Sequence, residues 1–261
     1  MIISTTVKIE NHPYSKEFLS LFNVLSRNYD KRQVWNDFVV MAACTISNAW
    51  DKRFYTVREE RYVEIASKYT KDEQDDFAKL LAYVTLSLTD KTEQDFLGAM
   101  YTLLGLNDKD IRKLYPYDVS ALLAHIPYAD NKKETTEEHS FKVWDERCGS
   151  GTNLIKFANE ARRNNINSQR RITFVAQDSD TIAGLMCYIQ LSILDCKLVL
   201  KMGDTPTDII TDEDMESESV WLSPMYTHEK LFRKLDALKR AKELLTYTPV
   251  KSEDNDEEET A

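Results

Sequence analysis

The stretch Phe141-Lys-Val-Trp-Asp-Glu-Arg-Cys-Gly-Ser-Gly-Thr-Asn-Leu-Ile155 decides the fold. A short apolar run ends in Asp145, and the turn Gly149–Gly151 then opens an amphipathic segment. Glycine is favoured where the backbone takes a positive φ or approaches a ligand closely, and two of the six glycines lie in this turn. The pattern predicts a strand, a tight loop and a helix N-terminus whose amides would cradle part of a nucleotide-like ligand. A plain strand-to-helix turn is the alternative.

Strands and helices alternate beyond this turn. One amphipathic helix follows the glycines directly, and another is predicted from about Asp180 to Leu194. Two short apolar runs, Arg171–Ala176 and Lys197–Met202, are typical of buried strands. This alternation predicts an α/β fold whose strands pair in parallel through crossover helices.

An aspartate follows each of the three strands: Asp145, Asp178 and Asp204. Because ligands bind beyond the carboxyl ends of parallel strands, we expect three carboxylates along one rim of one crevice. A carboxylate after the second strand can hold a ribose, although Asp178 follows Gly151 by 27 residues and the third glycine of the dinucleotide fingerprint is missing. A ligand with a ribose and a cationic or amino-acid end suits this rim better than a pyrophosphate does. S-adenosylmethionine has that chemistry.

The first half of the chain is predicted to be helical. Four stretches have the spacing of amphipathic helices: Gln33–Trp50, Val57–Tyr69, Lys71–Leu88 and Glu93–Leu104. Thr92 is the expected N-cap of the last one. The polar segment Tyr128–Glu138 is the best linker candidate. The predicted domains are a helical domain over residues 1–130, a ligand-binding domain over 131–247 and an acidic, disordered tail over 248–261.

Composition limits the functional classes. The 261 residues carry a net charge of −10, much of it from Glu253–Glu259, and this disfavours a broadly basic DNA-coating surface. The four cysteines form no Cys-x-x-Cys pair and the four histidines have no His-x-x-x-His spacing, so we expect reduced thiols and no metal site. The sequence has no apolar run of roughly 18 residues and no signal-peptide pattern. We therefore expect a cytoplasmic protein without a membrane partner.

The stretch Asp145-Glu-Arg-Cys-Gly-Ser-Gly151 resembles the Asp-Pro-x-Cys-Gly-Ser-Gly cofactor motif of adenine-specific DNA methyltransferases. The resemblance is closest to the methylation subunit of type I restriction-modification systems and to short phage- and plasmid-borne methylases. Further segments fit the same family pattern, the last of them weakly: Phe174–Asp180, Met186–Ser192, Lys201–Thr205 and Asp95–Gly98.

The resemblance implies S-adenosylmethionine as the cofactor. It implies that Asp145 and the turn hold the methionine moiety, that Asp178 holds the ribose, and that Asp204 lies beside the adenine. The turn residues concerned are Cys148, Gly149, Ser150 and Gly151. The family's Gly-Gln-Phe-Tyr/Phe-Thr-Pro segment, which helps to close the pocket, corresponds to Ile111–Pro116, where only Pro116 fits squarely.

The segment Val220-Trp-Leu-Ser-Pro-Met-Tyr226 resembles the family's catalytic motif, Asn/Asp/Ser-Pro-Pro-Tyr/Phe, with methionine in place of the second proline. The resemblance implies that Ser223 and Pro224 belong to the group that holds the target amine, and that Tyr226 stacks on a flipped base. The alternative is a structural strand-to-helix turn with a degenerate motif.

The chain also ends early for this family. One predicted helix, Glu229–Leu245, follows Tyr226, whereas a complete methyltransferase sheet would need about three further strands. We therefore expect a helical N-terminal region and a partial Rossmann-like sheet of about four to five mainly parallel strands. Its exposed edge would need to be covered by the N-terminal helices or by a partner chain.

Two functional hypotheses follow from the sequence. The first is an S-adenosylmethionine-dependent DNA methyltransferase that transfers a methyl group directly to the exocyclic amine of adenine, with cytosine as a variant and with target recognition supplied by a partner protein. The second is a catalytically silent, methyltransferase-derived binding protein, such as a regulatory subunit or an acidic anti-defence factor.

Overall fold

The computed structural model describes residues 13–106, 140–204, 208 and 210–229. The chain divides into two units, Met1–Thr227 and His228–Ala261, and residues 228 and 229 are the described part of the second. Several predicted features lie wholly or almost wholly outside the described residues: Pro116, the linker Tyr128–Glu138, the domain boundary near residue 130, the helix Glu229–Leu245 and the acidic tail 248–261.

Residues 13–106 form five α-helices: α1 (Pro13–Leu25), α2 (Lys31–Trp50), α3 (Tyr55–Ala66), α4 (Lys71–Asp90) and α5 (Phe96–Leu103). The predicted helices in this region are confirmed, with ends shifted by a few residues. The start of α4 is fixed by a capping box, in which Thr70 Oγ1 accepts from the Glu73 backbone N–H while the Glu73 carboxylate accepts from that of Thr70.

Four strands form one open sheet in the order β1-β2-β3-β4. They are β1 (Phe141–Asp145), β2 (Ile172–Asp178), β3 (Lys197–Met202) and β4 (Val220–Leu222). Three helices lie between the first three strands: α6 (Thr152–Arg163), α7 (Ser168–Arg171) and α8 (Thr181–Ile193). The predicted α/β class and mainly parallel sheet are confirmed, since β1, β2 and β3 pair in parallel.

Strand β4 runs antiparallel to β3. Parallel strands need a crossover connection, usually a helix, and the described part of the β3–β4 connection holds only the 3₁₀ turn Glu213–Glu216. The chain therefore returns along the strand that it has just left. In the register, Leu222 lies beside Val199 and Val220 lies beside Lys201.

The two faces of the sheet are covered unequally. One face, which includes Phe174 and Leu198, joins a large hydrophobic cluster that also contains side chains of the helices α1–α5, α6 and α8. On the other face a smaller cluster combines Val199, Val220 and Leu222 with Ile210, Met215 and Tyr226. Trp144 of β1 lies on this second face and is 50% exposed. Parallel sheets are usually buried on both faces. Among the described strands, β1 departs most from this rule, because only one of its five residues is buried.

The N-cap of α5 is Asp95, which corrects the prediction of Thr92. Asp95 Oδ1 accepts from the Gly98 N–H at 2.9 Å. The Thr92 hydroxyl donates instead to Asn159 Oδ1 at 3.1 Å, and the Asn159 amide donates to the Thr92 carbonyl at 2.8 Å. Thr92 thus ties the segment before α5 to α6, and the helix begins only after Asp95.

The β4 edge of the sheet is covered by the helical region. The buried guanidinium of Arg58, on α3, donates to the Val220 carbonyl at 3.0 Å and lies 4.1 Å from the centre of the Trp221 ring. An open strand edge would expose this backbone acceptor to pairing with another chain. The sheet edge was expected to be covered either by the N-terminal helices or by a partner chain. At β4 it is covered by the N-terminal helices.

Arg58 is neutralised inside the protein by Asp51. Its Nη1 donates to Asp51 Oδ2 at 3.1 Å and to Ser47 Oγ at 2.7 Å, and Arg53 binds the same carboxylate at 2.7 Å. Burial alone raises the pKa of Asp51, but the hydrogen bonds and charges of Arg53 and Arg58 outweigh burial and hold this pKa below its ordinary value. Asp51, Arg53 and Arg58 therefore stay charged although Asp51 and Arg58 are buried.

Replacing Arg58 by methionine should lower the free energy of unfolding by about 3 kcal/mol, because the buried Asp51 loses one of its two cationic partners. The Val220 carbonyl also loses the nearer of its two donors and keeps only Arg53, at 3.4 Å. Lys79→Ala, which removes the surface ion pair with Asp76, should cost less than about 1 kcal/mol. Urea unfolding of both variants beside the wild type measures the two losses. Equal losses would show that the covered edge does not depend on Arg58.

Candidate functional site

The turn after β1 has the conformation that its glycines predict. Gly149 and Gly151 have φ angles of 55° and 94°, in the region that favours glycine. Gly151 is the N-cap of α6, and a Cβ atom placed on it would lie 3.0 Å from Cys187 Sγ of α8. The glycines therefore provide both the backbone conformation and the close packing of the turn on α8.

The turn is bound to the end of β2 by its own backbone. The Cys148 N–H donates to the Gln177 carbonyl at 3.0 Å, and the Gly149 N–H donates to Asp178 Oδ2 at 2.8 Å. The other oxygen of Asp178 accepts from the Asp180 N–H at 2.9 Å, and the residue is 8% exposed. Asp178 thus holds the turn with one oxygen and the start of the segment after β2 with the other. The ribose contact implied for it stays a prediction.

The structure brings the three predicted aspartates to one rim. The parallel register puts the ends of β1, β2 and β3 side by side. The Gly203 N–H donates to the Asp178 carbonyl at 3.1 Å, which joins the segment that carries Asp204 to the end of β2. Asp204 is exposed and Asp145 is half-buried. These two carboxylates are therefore the more accessible of the three.

The carboxylate of Asp145 lies in an unfavourable electrostatic position. Burial raises its pKa most, and the negative charges of Asp178 and Glu146 raise it further. Hydrogen bonds from the Arg147 N–H, at 3.2 Å, and from the Asn153 side chain oppose this rise but do not cancel it. A bound cation would stabilise the ionised form of Asp145.

Ser150, predicted as a cofactor contact, directs its hydroxyl into the protein. It donates to Asp95 Oδ2 at 2.5 Å, and Thr152 Oγ1 donates to the same oxygen. The Gln190 side-chain amide donates to Asp95 Oδ1 at 2.8 Å and to the Ser150 carbonyl at 2.7 Å. Asp95 and Gln190 were not among the predicted site residues. The one signal for Asp95 in the sequence is that aspartate is a favoured N-cap residue and stands directly before the apolar run that begins at Phe96.

Cys148 is part of the packing beneath the turn. The residue is buried, and a hydrogen bond with Cys187 together with burial raises its pKa well above the ordinary value. A buried thiol that stays protonated is a poor nucleophile. Cys148 therefore has a structural role in the turn, and the cofactor contact predicted for it stays a prediction.

A buried lysine anchors the segment after β3. Lys201 Nζ lies 2.7 Å from Asp208 Oδ1 and 3.0 Å from Asp214 Oδ1, and the Gln177 side-chain amide donates to the Asp208 carbonyl at 2.7 Å. These contacts hold Asp208 and Asp214 near the carboxyl ends of β2 and β3. Together with Ile210, they form one side of the site in the described part of the chain.

A shallow depression lies between this segment and β1. Its cavity volume is about 10 Å³, and its lining includes Trp144, Asp145, Val175, Gln177 and Ile210. Sites for small ligands usually measure roughly 300–1,000 Å³. The depression formed by the described residues is therefore too small to enclose a heterocycle, and a ligand here would lie on the surface of the rim.

Ser223 lies at the opposite end of the sheet from the rim. Because β4 is antiparallel, Ser223 comes beside the start of β3, where its N–H donates to the Leu198 carbonyl at 3.0 Å. Asp204 follows the other end of this strand, so the two residues are roughly 20 Å apart at about 3.3 Å per residue. The structure does not bring the predicted catalytic serine to the predicted cofactor residues.

The hydrogen bonds of Ser223 are those of a structural residue. Its fully buried hydroxyl donates to the Cys196 carbonyl at 2.8 Å and accepts from the Leu198 N–H at 2.9 Å. Pro224 and Tyr226 lie in the first turn of a helix, and the Tyr226 ring packs against the smaller hydrophobic cluster. This arrangement matches the strand-to-helix alternative, and the catalytic role predicted for Ser223, Pro224 and Tyr226 stays a prediction.

Neither the scan against protein-family models nor the searches of curated proteins and of solved structures find a match to this chain. Within the described residues, no group of three or more histidine, cysteine, aspartate or glutamate side chains is arranged to hold a metal ion. The same residues contain no helix of the length and apolarity that a membrane span requires.

Gly151→Ala should destabilise the protein by roughly 2 kcal/mol or more, because the new Cβ meets Cys187 in a backbone conformation that already disfavours alanine. Gly105→Ala is the matched control: its φ is 68°, and nothing lies within 4 Å of its added Cβ. It should cost only about 1 kcal/mol. Urea unfolding compares the two, and an equal cost would show that the packing on Cys187 contributes nothing.

Ser223→Ala should lower the free energy of unfolding by about 1–3 kcal/mol, because it leaves the Leu198 N–H and the Cys196 carbonyl without their partner in the interior. Ser20→Ala on the exposed side of α1 should be neutral or slightly stabilising, since alanine is the better helix former. Chemical denaturation measures both changes. A Ser223 variant as stable as the wild type would contradict the structural role.

Proposed function

We propose that this chain binds a cationic nucleoside at the carboxyl rim of its sheet, with S-adenosylmethionine as the ligand that suits it best, and that it does not transfer the methyl group. The observation that carries the proposal is the desolvated carboxylate of Asp145 beside the glycine turn, with Asp178 and Asp204 at the neighbouring strand ends. The resemblance of the turn to a methyltransferase cofactor motif supports the same ligand.

The charge of the rim favours a cation over a phosphate. Acidic residues dominate the carboxyl ends of the strands and the segment after β3: Asp145, Glu146, Asp178, Asp180, Asp204, Asp208 and Asp214. Lys201 is already paired with two of them. Unlike charges a few ångströms apart attract by several kcal/mol where solvent is partly excluded, and like charges repel equally. A triphosphate or a DNA backbone is therefore disfavoured at this end, and an ammonium or sulfonium group is favoured.

The parts of S-adenosylmethionine match the site to different degrees. Asp145 would hold the amino group, and the backbone of the turn would lie near the methionine carboxylate. The half-exposed ring of Trp144 offers an aromatic face on which a heterocycle would lie at the surface of the rim. Asp178 suits a ribose less well, because its oxygens already accept two backbone N–H groups. When bound, this cofactor supplies an activated methyl group.

The placement of Ser223 favours a silent binding protein over a DNA methyltransferase. Methyl transfer needs the target base in line with the donor, and Ser223 is buried near the start of β3, far from the rim. Transfer to adenine or cytosine in DNA is the competing function, and the order of motifs along the chain is its support. A regulatory or anti-defence role in the cytoplasm, exerted through a protein partner, is part of the proposal.

The Rossmann-like interpretation of the sheet belongs to the same proposal. Three parallel strands with acids at their carboxyl ends support it. In doubly wound sheets the ligand crevice lies where the strand order reverses, whereas the described order runs from β1 to β4 without reversal and leaves β1 at an edge. The ligand would therefore lie at an open edge rather than between two halves of a sheet.

Isothermal titration with three ligands tests the proposal. S-adenosylmethionine should bind at least about tenfold more tightly than S-adenosylhomocysteine, whose sulfur is neutral, and ATP should bind weakest. Asp145→Asn should reduce the affinity for S-adenosylmethionine about tenfold and narrow its advantage over the homocysteine analogue. Asp75→Asn, at a surface ion pair on α4, is the control and should change neither value.

Two results would overturn parts of this proposal. Absence of S-adenosylmethionine binding by the folded wild-type protein would exclude the ligand. Transfer of labelled methyl groups to DNA, lost in a folded Tyr226→Ala variant, would show that the protein is an enzyme and that the Ser-Pro-Met-Tyr segment acts in catalysis.

A further inference from the structure

The carboxylate of Asp95 is the point at which the helical region meets the glycine turn. Its Oδ2 accepts from the hydroxyls of Ser150 and Thr152, at the turn and the first residue of α6. Its Oδ1 accepts from the Gly98 N–H at 2.9 Å and from the Gln190 side-chain amide of α8 at 2.8 Å. One side chain thus binds α5, α6, α8 and the turn together.

Every donor at this carboxylate needs an acceptor. Both hydroxyls and both N–H groups point at the two oxygens, and an ionised carboxylate is an acceptor on both of them. Hydrogen bonds to a charged acceptor are shorter and stronger than neutral ones, in line with the 2.5 Å distance from Ser150 Oγ. An asparagine here would turn an NH₂ group towards at least one donor.

Gly98 allows the turn to come this close. A Cβ atom placed on Gly98 would lie 2.6 Å from Ser150 Oγ and would also collide with the Asp95 carboxylate. Gln190 completes the contact: it accepts from the Leu97 N–H at 3.0 Å and donates to the Ser150 carbonyl at 2.7 Å. The start of α5 is therefore shaped to hold the back of the turn.

We infer that Asp95 is a positioning residue that sets the conformation of the Gly149–Gly151 turn and, through it, the affinity for the nucleoside. The part that concerns affinity rests on the proposed function. Asp95 acts through Ser150 and Thr152, whose hydroxyls it keeps turned away from the ligand side. The helical region is then part of the binding site without touching the ligand.

The test compares two N-cap variants, Asp95→Asn and Asp30→Asn. Asp30 caps α2 by accepting from the Gln33 N–H at 2.9 Å, and asparagine caps as well as aspartate. Amide hydrogen exchange is measured over residues 148–154 without ligand, and S-adenosylmethionine affinity is measured by titration. Asp95→Asn should speed exchange in the turn at least tenfold and weaken binding at least tenfold. Asp30→Asn should leave both values unchanged.

Two further variants keep the inference testable if Asp95→Asn does not fold. Ser150→Ala removes one donor and should loosen the turn severalfold. Gly98→Ala keeps every hydrogen-bonding group but displaces the carboxylate, so it should reproduce the faster exchange.

The outcomes separate this inference from the proposed function. If the wild type does not bind S-adenosylmethionine but Asp95→Asn loosens the turn, the ligand is wrong and the positioning role holds. If the wild type binds and the folded Asp95→Asn variant matches it in exchange and affinity, the positioning role is overturned. Equal loosening of the turn in Asp30→Asn would also overturn it, because loss of helix stability alone would then explain the effect.

Discussion

The direction of β4 is the constraint on which the functional interpretation depends. Arg58 holds the Val220 carbonyl at the beginning of this three-residue strand, and the Ser223 hydroxyl joins its end to the start of β3. With both ends bound, the strand lies antiparallel along β3. The segment that follows it therefore leaves from the amino end of β3, away from the acidic rim. The contacts of Arg58 and Ser223 thus keep the Ser-Pro-Met-Tyr segment away from the glycine turn, although the resemblance implies that the two motifs form one site.

The hydrogen-bonding needs of the turn explain why several residues of the cofactor motif face inward. A turn with two residues at positive φ has little regular hydrogen bonding of its own, and buried backbone groups must find partners. The Asp178 carboxylate accepts a hydrogen bond from the turn on the sheet side, and the Asp95 carboxylate accepts one on the side of the helical region. The groups that remain available to a ligand are then those at the rim, above all Asp145. The rim has an unfavourable concentration of negative charge that a cationic ligand would relieve.

Local patterns predicted the helices α2–α5, the strand-turn-helix unit and the three aspartates at one rim, because each depends on periodicity or on a few adjacent residues. The direction of β4 could not be predicted, since Val220–Leu222 is apolar throughout and pairs equally well either way. The N-cap of α5 was misplaced because threonine and aspartate both cap helices, and a contact with Ser150, 55 residues away, decides between them. Such long-range contacts leave no periodic signal in the sequence.

A cofactor motif and a ligand contact are therefore different things in this chain. Gly149, Gly151, Ser150 and Cys148 are needed to build the turn, whether or not a ligand binds there, because each fills a backbone, packing or hydrogen-bonding requirement of the protein itself. Their presence is therefore evidence for the conformation of the turn rather than for the kind of ligand that it binds. Asp145 and Asp204 carry the chemical information, since their side chains are more exposed than the buried carboxylate of Asp178. The electrostatic balance at the rim is accordingly a better guide to the ligand than the match of the motif.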